Sequence, residues 1–120
     1  MSEQTCGTDW EQTLCTLILY GGDARCAAKE AADYAAENDW KQAEEALKRA
    51  NEAQLAAHKM QAEILHREAR GEQIPFSILL VHALDLLLLA WAEIDYAEQF
   101  IKLHKRIAEL ERRSRDDPRP

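Results

Sequence analysis

Turn-forming residues are scarce: only four Gly and three Pro occur in 120 residues. Nothing in the chain reads as a strand series, so β architectures are excluded in favour of a helical bundle. Aromatics are also few, at 7%, while Ala, Glu and Leu dominate. Basic charge is in deficit. The formal net charge of −7 argues against a nucleic-acid partner. The three cysteines, Cys6, Cys15 and Cys26, form neither a CxxC pair nor an even framework. No signal peptide is visible, because Met1-Ser-Glu-Gln opens polar and acidic. The expectation is a cytoplasmic protein with unpaired thiols, Cys15 and Cys26 packing as small apolar residues. No Gly-rich phosphate loop, Ser-His-Asp arrangement or Cys-rich zinc spacing is present. The run from Ile74 to Ala92 approaches membrane-span length, but Pro75, Ser77, His82 and Asp85 interrupt it, so a buried helix explains it better than membrane insertion.

What is present is one all-α domain of three long antiparallel helices. A flexible N-terminus is expected over 1–8, the helical domain over 9–114 and a disordered tail over 115–120. Helix 1 should run from Thr8 or Asp9 to Ala36, with a stripe through Trp10, Leu14, Leu17, Ile18, Ala24, Ala28, Ala31 and Ala35. Gly21-Gly22 falls inside it, either as a break or as a place of close helix packing. The small residues that follow favour the second. Asp39 is a good N-cap for helix 2, with Gln42 as its capping-box partner. That helix should carry a stripe of Ala43, Leu47, Ala50, Leu55, His58, Ala62 and Leu65 and stop at Gly71. Helix 3 should start near Pro75 and reach Arg113, about 38 residues and roughly 57 Å. The basic cluster Arg106, Arg112, Arg113 and Arg115 reads as its solvated end.

Helix 3 is apolar on two faces. One holds Leu80, Leu84, Leu87, Trp91 and Ile94. The other follows a 4-3-4-3 spacing through Ile78, His82, Asp85, Leu89, Ala92 and Tyr96, with Leu103 further on. Two neighbours in one chain cannot cover both faces, and coiled-coil spacing makes self-association the natural cover. His82 and Asp85 are the only ionisable groups in Ile78–Leu89 and lie three residues apart on one helix face. In an apolar setting they need a partner, a metal, a neighbouring subunit or chemistry. An imidazole beside a carboxylate suits a phosphoryl-accepting nucleophile, and it also suits metal binding or a buried ion pair. On a symmetry axis, several Asp85 carboxylates would converge and require a cation or a shared proton. Glu63 and His66 match the Glu-x-x-His pair of di-iron bundles, but only one such pair exists, and a solvated i,i+3 pair is the plainer reading. His104, among charges, is expected to be exposed.

These residues together resemble the lactose/cellobiose-specific IIA components of the bacterial sugar phosphotransferase system. The resemblance covers roughly residues 10 to 110. It is carried by Gly22-Asp23-Ala24-Arg25, by Ala57-His58 with Gln61 and Glu68-Ala69-Arg70-Gly71, and by Val81-His82-Ala83-Leu84-Asp85. It implies a homotrimer forming a nine-helix bundle. It implies that His82 receives phosphate from the phosphocarrier protein and passes it to a IIB component. It implies that Asp85 meets its two symmetry mates around a divalent cation, magnesium, at the trimer axis. The family segment reads approximately Val-His-Ala-Gln-Asp-His-Leu-Met, so Leu84, Leu86 and Leu88 stand at its Gln, second His and Met positions. The alternative implied by those departures is a trimeric helical scaffold, diverged or designed, that keeps the fold and has lost phosphotransfer.

Overall fold

The structure is a computed structural model that describes residues 9–119. Three helices follow in order: α1 (Asp9–Ala36), α2 (Trp40–Ala69) and α3 (Ile78–Asp116). The expected flexible segment 1–8, with Cys6, and the last residue of the expected tail lie outside the described residues. Of that tail, α3 claims residues up to Asp116, three residues beyond the predicted end at Arg113.

Local chemistry sets the helix ends. At the end of α1, Asn38 adopts φ 60°. Asp39 N donates to Tyr34 O and Asn38 N donates to Ala35 O, both at 3.0 Å. This is a Schellman closure with Asn in the left-handed position. The Asp39 carboxylate then accepts from Gln42 N at 3.3 Å and opens α2. Gly71, at φ 98°, repeats the closure at the end of α2, where Glu72 N donates to Arg67 O at 3.1 Å. Helix α3 begins at Ile78 rather than near Pro75, because Ser77 is the N-cap and its hydroxyl accepts from Leu80 N at 3.0 Å.

Helix α1 is the middle element. It packs broadly on both α2 and α3, which touch each other far less. The core has two parts. Towards the α1–α2 turn, alanines from α1 (Ala24, Ala28, Ala31) meet Ala43, Ala46 and Ala50 of α2 and Ala90, Ile94 and Ile101 of α3. Towards the other end, Leu14 and Leu17 pack with Ala57, Ile64, Ala83 and Leu87. Leu14 and Leu17 are the largest fully buried side chains, each contributing about 1.5–3 kcal/mol of burial. Small residues let helix axes approach closely, which the alanine end uses.

That alanine packing corrects the expected stripe of α2. Its buried face is Ala43, Ala46, Ala50, Gln54, Ala57 and Ile64, while Leu55, His58 and Leu65 lie on the surface. Cys15 and Cys26 are also exposed rather than packed. His104 is half-buried rather than exposed. Gly21-Gly22 lies inside one continuous helix. A Cβ on Gly21 would sit 3.4 Å from Leu86 Cβ, so α1 and α3 approach closely there, whereas Gly22 faces open space.

Candidate functional site

The Ser77 cap places the start of α3 one turn before His82. From there the helix presents Ile78, His82, Asp85, Leu89, Ala92 and Tyr96 on one face, and every one of them is exposed in the subunit. Val81 and Leu88 flank them and are exposed too. Neither His82 nor Asp85 makes a hydrogen bond or ion pair among the described residues. Within the single subunit this face is therefore open, and none of the described residues supplies the cover that self-association was expected to give. Burial and its cost arise only if another body covers this face.

The chemistry available here is specific. His82 stands at the beginning of the second turn of α3, and helical side chains lean towards the N-terminus. That end carries the positive pole of the helix and unpaired backbone N–H groups. An anion carried on the His82 imidazole would lie in a favourable field. Asp85 supplies one unpaired carboxylate per subunit. Among the described residues no group of three His, Cys, Asp or Glu gathers within a subunit to hold a metal. A shared cation at this face would accordingly draw one oxygen ligand from each of several copies, and an unpaired exposed carboxylate fits that role. Glu63 and His66, the other candidate pair, are both exposed on α2, and Glu63 lies 3.6 Å from Arg70 in an ion pair.

Leu84 lies on the far side of α3 from His82, and Leu86, four residues on from His82, borders its face on the side of α1. Leu86 is half-buried against Gly21 of α1, and Leu84 packs on the leucine-rich core cluster. Both contribute to helix–helix contacts within the subunit.

One feature of this region is invisible in the sequence pattern. Arg25 of α1 donates from Nε to Glu93 Oε1 of α3 at 2.9 Å, with a second contact from its terminal nitrogen at 2.8 Å. The hydrogen bond to Glu93 raises the Arg25 guanidinium above its ordinary range. The pair edges a groove of about 500 Å³ between α1 and α3, continued by Lys29, Tyr96 and Phe100. Residues 68 apart carry no local signal that they meet. Arg25 was visible only as part of a family-like segment, without a role.

No helix among the described residues is long and apolar enough to cross a membrane. The family model described as "PTS system, Lactose/Cellobiose specific IIA subunit" matches residues 12–105. The chain is 37% identical over 101 residues to the lichenan-specific phosphotransferase enzyme IIA component of Bacillus subtilis (strain 168), covering 84% of this chain and 92% of that protein. It is 37% identical over 95 residues to the lactose-specific EIIA component of Lacticaseibacillus casei, covering 79% and 85% respectively. Its fold matches the crystal structure of the cellobiose-specific enzyme IIA from Bacillus anthracis with a TM-score of 0.84 at 40% identity, covering 86% of this chain and 94% of that one.

Proposed function

The chain belongs to the lactose/cellobiose-specific IIA family of the sugar phosphotransferase system, and on that premise we propose that His82 is its phosphoryl carrier. A neutral imidazole nitrogen of His82 attacks phosphorus on the phosphohistidine of the phosphocarrier protein. The new N–P bond forms as the donor N–P bond breaks, and the negative charge is spread over the three equatorial oxygens. The positive end of α3 favours that charge. The same group then leaves for a IIB component, restoring the neutral imidazole. The observation that carries this reading is the position of His82: exposed, without a partner, and at the capped start of α3.

The working form is a homotrimer of nine helices in the cytoplasm. The apolar face of α3 lines its axis, and the three Asp85 carboxylates share a magnesium ion. Bound there, the ion neutralises converging charge. Asp85 is thus an assembly residue and His82 the carrier. Leu84 and Leu86 are compatible with carrier function because Leu84 packs on the core and Leu86, though four residues from His82, meets Gly21 of α1 and leaves the His82 side chain exposed.

Incubation with enzyme I, phosphocarrier protein and phosphoenolpyruvate tests the assignment. The expected result is one acid-labile phosphoryl group per chain by intact mass, lost in His82→Gln. Absence of that group from the wild-type chain would leave the second reading, a trimeric scaffold without transfer chemistry. Phosphate on another residue would overturn the assignment of His82.

A further inference from the structure

Helices α2 and α3 leave a recess of about 210 Å³ between them, lined by Asn51, Gln54, Leu55 and His58 of α2 and by Trp91 of α3. Trp91 follows His82 by nine residues, about two and a half turns at ~3.6 residues per turn, so it lies on the opposite side of α3 from the His82 side chain. The recess is therefore separate from the site described above. Gln54 is the only polar side chain in the buried core of the described residues, at 5% exposed. Its Oε1 has no hydrogen-bond partner among them. A buried carbonyl left unpaired costs free energy, and folded proteins seldom leave one so.

The lining defines what would complete it. Asn51 Nδ2 donates to Leu47 O at 3.0 Å, which leaves Asn51 Oδ1 as a second acceptor. No Lys or Arg lines the recess. Lys48 lines the adjoining hollow with Glu44 and Glu52. Asp95, one turn after Trp91 on the same flank of α3, makes no ion pair among the described residues. The His58 ring leans on the Trp91 indole, with centroids 5.4 Å apart and planes at 33°. The indole is nevertheless 48% exposed, and Leu55 is 53% exposed. Acceptors beside an open indole, on a chain of net charge −7, disfavour anions and favour a cation that carries N–H donors. A single water would pair Gln54 but would leave Leu55 and Trp91 uncovered. The volume lies below the range of drug-sized pockets, about 300–1,000 Å³, so the occupant is small.

We propose that this recess binds a small primary alkylammonium ion. Its N–H groups donate to Gln54 Oε1 and Asn51 Oδ1, its charge rests against the Trp91 ring, and its apolar stem lies along Leu55. Asp95 on the same flank adds attraction. Binding there requires neither phosphotransfer nor assembly.

The test follows side-chain NMR signals of the full chain while n-butylammonium chloride is added at constant ionic strength. The Gln54 amide and Trp91 indole resonances should move and saturate, while those of Trp10 and Trp40 stay in place. Tetramethylammonium, which has the charge but no N–H, should bind about tenfold more weakly. The Gln54→Leu and Trp91→Leu proteins should each bind n-butylammonium about tenfold more weakly than the unaltered chain. Circular dichroism checks that both variants fold. Gln54→Leu nearly keeps the volume and removes the unpaired amide, so its Tm should not fall. Tighter binding of putrescine than of Nα-acetyl-lysine N-methylamide would assign the site to a free amine, and the reverse order to a lysine side chain of a partner protein. No saturable movement with n-butylammonium, equal affinity for tetramethylammonium, undiminished binding by Gln54→Leu, or tighter binding of methyl β-glucoside would overturn the ammonium site.

Discussion

Replacing Gly22 with Ala should stabilise this protein, and replacing its neighbour should read out a different physics. Both glycines sit inside α1 with no positive φ, so neither is needed for backbone conformation. Ala is favoured over Gly in a helix interior by about 0.8–1.0 kcal/mol. A Cβ at position 22 meets nothing within 4 Å, so Gly22→Ala should realise nearly all of that gain. A Cβ at position 21 would lie 3.4 Å from Leu86 Cβ and 3.8 Å from the Leu86 carbonyl carbon and oxygen. Gly21→Ala therefore reaches ordinary contact and should gain less. Gly21→Leu must push α1 away from α3 and should lose about 1–3 kcal/mol, while Gly22→Leu should be tolerated. Thermal unfolding by circular dichroism, at one protein concentration because assembly shifts Tm, should show Gly22→Ala about 4–6 °C higher. If Gly22→Ala lowers Tm, or if the two Leu variants behave alike, then α1 breaks at this pair and the close approach of Leu86 is wrong.

Leu86→His, which installs the residue the family resemblance suggests, should destabilise by about 1–2 kcal/mol, because a half-buried apolar contact with α1 becomes a poorly partnered polar one. Urea unfolding checks this, and an unchanged midpoint would show that the flank accommodates imidazole. Glu109 is held at about 2, first by hydrogen bonds from Arg112 and Arg113. Its depressed value means that the pairing stabilises the C-terminal end of α3 fully above the ordinary value of 4.5 and is lost as pH falls through about 2. Side-chain carboxyl NMR should show Glu109 titrating last among the glutamates. Chelation with EDTA should lower the Tm of the wild-type assembly but not that of Asp85→Leu, which removes both the cation ligand and the clustered charge. A Tm loss on chelation in both proteins would place the cation elsewhere.

Much of the fold was legible because its determinants are local. Asp39 and Gly71 are chemical signals acting within a turn or two, and helix order and type followed from them and from a 3.6-residue period, whereas Ser77, not Pro75, sets the start of α3. The stripe through His82 and Asp85 was legible for the same reason, since one helix face is set by spacing alone.

Periodicity shows that an apolar face exists, not which one a neighbour accepts. In α2 the leucines and the alanines both keep helical spacing, and α1 presents alanines, so close packing selects Ala43, Ala46 and Ala50 and leaves Leu55 and Leu65 outside. The same holds for the close approach of Leu86 to Gly21 inside a continuous α1, and for Arg25 finding Glu93. The sequence by itself determined three helices and the shared face of His82 and Asp85. Only the tertiary structure decided that this face lies open while Leu84 packs on the core and Leu86 meets Gly21 of α1. Burial is a property of two surfaces meeting, and a one-dimensional pattern describes only one of them.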